Sequence, residues 1–402
     1  MKKLVFACLM TAFIISLPGC DDDNNVATIS IKNNLELGRS YETVLIQKAQ
    51  LSEIGEEDFS RLLLRDIESG EILVSQLIDN DSDSQADALA FQPVLNANEE
   101  RTYALFLPDE VEVMPESAKK TFSRFVPERT DDYAWENDLV AFRTYGPTAQ
   151  KMIEENIKGG TLSSGMDCWL KKVDYPIINS WYKKHVDGTG SYHKDTGEGL
   201  DNFHVGISRG CGGIGIWNAE DEILFTSRNF TQWETISEGP LRTKFKLDYA
   251  AWPAKDLTIN EHKVISLDLG NNLTRYEIVL TGDKLPEYIT TGLTLHEKDG
   301  NMITDQENGW YSYWQAHGDS EIGMGIVVED KYLSTYTEHI VDDADLSHLL
   351  VHMKPIDGKV VYYAGFGWKG SGQFATEKDW TRYLMDYSER LAAPLVLTII
   401  SE

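Results

Sequence analysis

The chain has 402 residues, of which 42% are hydrophobic and 10% aromatic, and 65 Asp and Glu against 37 Lys and Arg give it a formal charge of −28. That much aromatic surface excludes a disordered chain, and the charge, with no basic stripe to offset it, argues against a nucleic-acid partner. Acidic polysaccharides are repelled at long range too, so an anionic sugar would have to be held at short range by individual arginines.

Residues 1–20 run from Met1-Lys2-Lys3 through the apolar stretch Leu4 to Leu17 to Pro18-Gly19-Cys20. This resembles a bacterial lipoprotein signal, with removal of residues 1–19 and lipid attachment at Cys20. The expectation is a cell-envelope lipoprotein, at the outer membrane, anchored through its N-terminal lipid. Loss of Lys2 and Lys3 takes the charge from −28 to −30. No later stretch approaches the roughly 18 apolar residues that span a bilayer. Residues 20–25, an acidic Asp-Asp-Asp-Asn-Asn run after the cysteine, read as a tether. The remaining cysteines, Cys168 and Cys211, could pair in an oxidising compartment or stay as buried thiols.

Residues 26–112 read as a small β-sandwich, with strands over 26–32, 42–47, 59–66, 72–78 and 102–107. Residues 113–402 read as a large antiparallel sandwich with a few short helices, and the whole fold is expected to be mainly β. Helices are predicted at Pro147–Ile157 and Pro176–His185. A third starts at Thr376, where Asp379 completes a capping box and Trp380, Leu384, Tyr387 and Leu391 share one face. Residues 395–400 read as a final buried strand.

Two stretches are too polar for a sandwich interior. One runs from Pro127 to Pro147 and includes Arg129, Trp135, Asn137 and Arg143; the other runs from Ser191 to Gly213 and includes Tyr192, His193 and Arg209. Polar groups among aromatics and turn glycines suit a carbohydrate cleft, and they suit a solvated loop as well. Tyr192 and His193 are the acid–base candidates. Arg129, Arg143 and Arg209 are candidates for gripping a carboxylate or sulfate, Arg143 above all because its sequence neighbours are uncharged. Trp368, in Gly365-Phe366-Gly367-Trp368, is a candidate sugar platform or a core residue, and His317 and His352 could complete a cleft. Asp195, Glu198 and Asp201 could present oxygens to Ca²⁺, although such acids are more often only solvated, and no cofactor is expected. Motifs of serine hydrolases, nucleotide-binding loops and zinc proteases are missing.

The run 127–147, Ser164-Gly165-Met166-Asp167-Cys168-Trp169, 192–201, 206–213 and Gly239-Pro240-Leu241-Arg242 resemble a family of lipoproteins from polysaccharide-utilisation loci, long catalogued as a domain of unknown function. The strands over 241–280 resemble the galactose-mutarotase-like sandwich. The resemblance implies a dehydratase of ulvan-type oligosaccharides, eliminating water from a non-reducing-end uronate to leave a 4,5-unsaturated uronate. On that reading Arg143 and Arg209 take the carboxylate, His193 is the base, Tyr192 the acid, and Trp135 and Trp368 line the sugar. The alternatives are a non-catalytic glycan-binding lipoprotein, or a glycoside hydrolase using Asp132 or Glu136 with Asp195 or Glu198.

Overall fold

The computed structural model describes residues 24–109 and 111–400. The signal, Cys20 and most of the tether lie outside the described residues. Among the described residues, no helix is long and apolar enough to cross a membrane. The fold is mainly β, with large antiparallel sheets.

The N-terminal unit pairs a four-stranded sheet, ordered Val396–Ile400, Asn25–Lys32, Glu100–Phe106 and Leu63–Asp66, with a three-stranded one. Alternation sends Ile29 and Ile31 inward to pack with Ile46, Phe59, Phe91 and Leu105. Phe59 reaches this core from a short helix, Glu56–Phe59, and not from a strand, because Glu56, Glu57 and Asp58 suit a helix N-terminus. The last strand of the chain lies antiparallel to the first, with Ile29 opposite Ile399 and Ile31 opposite Leu397. A boundary at residue 112 therefore leaves one strand of this unit at the far end of the chain. That strand is an edge strand and not a buried one: Val396 and Ile400 are 44% and 47% exposed.

In the large unit a nine-stranded sheet faces a five-stranded one, and Phe245, Ile265, Ile278 and Ile326 from the first meet Ile214, Leu293, Leu349 and Val351 from the second in one core. The helix Glu377–Ala392 begins at the expected Thr376–Asp379 capping box. It lies on the outer face of the large sheet, where Gly323, Gly325 and Gly367 leave room for Trp380 and Leu384; a Cβ on Gly323 would stand 2.5 Å from Trp380.

A further five-stranded sheet carries the polar residues: Phe122–Val126, Asp132–Glu136, Ala141–Thr144, Asp167–Lys171 and Gly199–Leu200. Its two faces differ sharply. Tyr133, Trp135, Phe142, Cys168 and Leu170 join the large core. Their neighbours in sequence, Ala134, Ala141 and Trp169, pack instead with Ile178, Trp181 and Tyr182 of the helix Ile178–Val186.

Candidate active site

Strand alternation puts the charged residues of this sheet on the helix-facing side. Glu136 is fully buried, takes the Lys171 Nζ at 2.9 Å and accepts from the Ile177 and Ile178 backbone N–H groups at the helix entrance. A carboxylate there satisfies donors that the helix itself cannot.

Beside that pair, Arg143 stands in register with Asp167 on the next strand. Its Nε and Nη2 donate to Asp167 Oδ2 at 2.9 and 2.5 Å, Nη2 also reaches Asp201 Oδ2 at 3.0 Å, and Nη1 lies 3.7 Å from Asp132 Oδ2. The expectation that Arg143 is free of local acids is thus corrected: its three carboxylate neighbours come from other strands and loops. Burial pushes Asp167 up to about 7, with the Asp201 charge adding to it and Arg143 opposing it. Burial likewise raises Asp132 to about 6 against the pull of Arg143, and raises Asp201. Oδ1 of Asp132 and of Asp167 are buried without a hydrogen-bond partner. Burial, more than crowding, favours the neutral form of each of the three carboxyls.

Tyr192 and His193 occupy a turn, so the strand geometry that would send them to opposite faces does not apply. Tyr192 turns inward and is 3% exposed; its hydroxyl accepts from Arg129 Nε at 3.1 Å and Arg143 Nη1 at 3.4 Å. His193 turns outward with its side chain 54% exposed, and its Nδ1 lies 2.7 Å from the Asp201 carbonyl oxygen. A carbonyl only accepts, so Nδ1 carries the proton and Nε2 presents a lone pair. Asp201 Oδ2 is 3.6 Å from the same Nδ1.

These groups open onto a cleft of about 610 Å³ lined by Arg143, Tyr145, His193, Asp201, Asn202, Phe203 and His204, with Ile153, Leu162, Val205 and Ile207 supplying apolar wall. The two polar stretches of the sequence therefore meet at one cleft. His317 stands at its edge, 3.0 Å from Asn202 Oδ1. His352 does not reach it and bonds Thr290 and Thr337 instead.

Four expected site residues lie elsewhere. Arg209 is 2% exposed and spends its guanidinium on Ser164 Oγ and the carbonyls of Ile207 and Ile214, and burial brings it down to about 10. Trp135 is fully buried, donates to Thr274 Oγ1 at 3.0 Å and packs with Phe142 and Phe245. Asn137 ties the Asp268 and Asn271 carbonyls at 2.7 Å. Trp368 belongs to the large core. In each case an aromatic or polar side chain that looked suited to sugar is consumed within the fold, the two tryptophans by packing and Arg209 and Asn137 by hydrogen bonds. Arg129 does not line the cleft either but touches the site through the Tyr192 hydroxyl; it is half-buried, makes no ion pair among the described residues, and leaves Nη2 without a protein partner.

The carboxylates considered for Ca²⁺ diverge, Asp195 to Lys172, Glu198 to Lys184 and Asp201 to Arg143. Among the described residues one trio, Asp79, Asp81 and Asp87, brings carboxylate oxygens within 4.8 Å of one another, on the N-terminal unit. Cys168 and Cys211 are both buried free thiols.

Asp167, Asp132 and Tyr145 carry the site's electrostatics and were not singled out for that role by sequence. The available signal was alternation: in Asp-Tyr-Ala-Trp-Glu and Asp-Cys-Trp-Leu-Lys the charged residues fall on one face and the large-core residues on the other.

The chain belongs to a family described as a domain of unknown function, DUF4861, whose model matches residues 31–397. It is 44% identical over 401 residues to the uncharacterized protein P7 of Formosa agariphila, covering 99% of this chain and 100% of that one. Two solved Enterococcus faecalis structures are similar in fold: a protein in glycosyl hydrolase family 38, with 10% identity and a TM-score of 0.48, and an α-mannosidase, with 9% and 0.47. Each similarity covers 93% of this chain, which spans 47% and 46% of those proteins, about half their length.

Proposed function

We propose that the chain is a carbon–oxygen lyase: a dehydratase that removes water from the non-reducing-end uronate of ulvan-type oligosaccharides. One observation carries this reading, the pairing of His193 with Asp201 at the mouth of a cleft floored by Arg143. The carboxylate of the sugar is met by Arg143, which lines the cleft, with Arg129 behind it through the Tyr192 hydroxyl. Neutralising that carboxylate acidifies the proton on carbon 5. His193 Nε2 takes the proton, the C5–H electrons form the C4–C5 double bond, and the C4–O bond breaks. Asp201 protonates the departing hydroxyl, which leaves as water; its carboxyl is raised by burial and lines the cleft. His193, whose side chain is 54% exposed, then loses its Nε2 proton to solvent and Asp201 regains a proton from solvent, so that both groups return to their starting state.

The acid role thus moves from Tyr192 to Asp201, because Tyr192 lies behind the cleft wall with its oxygen committed as acceptor to Arg129 and Arg143. A purely glycan-binding protein has less support, since no tryptophan lines the cleft among the described residues. The glycoside hydrolase pairs fare no better: Glu136 is bound to Lys171, Asp195 to Lys172 and Glu198 to Lys184. Mass spectrometry of a uronate-terminated oligosaccharide tests the reading. The loss of one water, abolished by Asp201→Asn, is expected; cleavage of a glycosidic bond or an unchanged mass would refute it.

The cell-envelope reading is carried by the signal-like residues 1–19 and Cys20. Labelled palmitate should enter the wild-type protein and not Cys20→Ala; equal labelling, or none in either, overturns the anchor.

A further inference from the structure

On the outer face of the large sheet, away from the cleft, lies a second cavity of about 350 Å³. It is walled by the N-terminal unit through Tyr41 and Glu42, by the sheet through Arg242, Arg275 and Tyr363, and by the C-terminal helix through Tyr387 and Arg390. The sheet residues face outward because alternation sends their neighbours Thr243, Tyr276 and Tyr362 inward.

Most charges here are already matched. Arg242 grips both oxygens of Asp268 at 2.5 and 2.7 Å, and Arg275 holds Glu277 at 3.0 Å. Arg390 is the exception. Its Nε donates to the Asp386 carbonyl at 3.2 Å and its guanidinium lies over the Tyr387 ring at 5.2 Å, but it makes no ion pair, and both terminal amino groups are without a partner among the described residues. Glu42 lines the cavity but offers it little: Oε1 receives Arg39 and the Leu395 N–H, and Oε2 is buried with no hydrogen bond. Tyr363 and Tyr387, with ring centroids 5.3 Å apart, supply aromatic wall.

An unpaired guanidinium fork and a tyrosine pair are together what one acidic sugar needs: two-point contact for its anion and an apolar surface for its ring. The volume suits one or two sugar units. We propose that this cavity is a second binding site, for an anionic sugar unit, with Arg390 as its anion-binding residue. The site is independent of the chemistry at His193 and would hold a neighbouring stretch of an acidic glycan while the cleft is occupied or empty.

Equilibrium dialysis of the full chain against labelled glucuronate tests this, with glucose 6-sulfate and glucose as parallel probes. Wild type should bind glucuronate at two sites per chain and glucose at neither; binding of glucose 6-sulfate as well would assign the site to anionic sugars in general, and its failure to bind would restrict it to carboxylates. Arg390→Gln, and Thr43→Trp, which fills the cavity without removing a charge, should each lose one site, with at least tenfold weaker binding there and unchanged turnover. The same number of sites, at the same affinity, in wild type and in both variants would overturn the proposal. Turnover is scored separately, so loss of a site in Arg390→Gln supports this cavity even where no dehydration is seen.

Discussion

Arg143 and Asp167 face each other across two adjacent strands, with Nε and Nη2 of the arginine both on Oδ2 of the aspartate while Asp167 Oδ1 has no partner. The pair is almost wholly buried, at 6% and 0% side-chain exposure. A buried ion pair gains little over an apolar pair of the same shape, yet losing one member leaves an uncompensated charge. Arg143→Met should therefore cost about 3–5 kcal/mol of stability in a denaturant titration. A loss below about 1 kcal/mol would mean that the aspartates do not depend on Arg143.

The same cluster sets a pH dependence. Asp167 rises from its ordinary 3.8 to about 7 in the folded chain, so the folded state binds more protons than the unfolded state between these values. Its contribution to stability is fully present below about pH 4 and is lost as pH rises through about 7. Wild type should lose stability relative to Asp167→Asn over this window, by at most about 1.4 kcal/mol per pH unit for one proton. A difference that stays flat, or grows with pH, would contradict the raised value.

Trp135 separates packing from sugar contact. Trp135→Ala should lower stability by about 3–5 kcal/mol, as expected for emptying a buried aromatic site. The turnover of the folded fraction should hold. A changed Michaelis constant with unchanged stability would return Trp135 to the substrate.

The seat of the C-terminal helix makes a further prediction. A Cβ on Gly323 would stand 2.5 Å from both Trp314 and Trp380. Gly323→Ala should cost about 1–3 kcal/mol by overpacking, visible as a lower melting temperature. Gly55, with nothing within 4 Å of the same added atom, should tolerate alanine far better.

Local signals were the legible ones. The capping box at Thr376 and the apolar face of its helix could be read directly, because both depend on residues a few positions apart. So could the alternation at Ile29 and Ile31, and the richness of the two polar stretches that meet at the cleft. Long-range partners could not. Arg143 looked free because its neighbours in sequence are uncharged, while its aspartates lie 11, 24 and 58 residues away. Trp135 and Trp368 looked like sugar platforms because composition does not say which face of a strand meets a core. The closing strand at Val396 pairs with the first strand of the chain, a contact that no local pattern announces.

The central claim is that His193 removes a proton from a uronate held beside Arg143. Its most direct test follows the ultraviolet absorbance of the conjugated uronate as the purified chain acts on saturated uronate-terminated oligosaccharides. Absorbance should rise with wild type and fall by at least about a hundredfold in rate with His193→Ala, the usual scale for losing a positioned base. No rise on any uronate substrate with a folded protein, or an equal rise with His193→Ala, would contradict it.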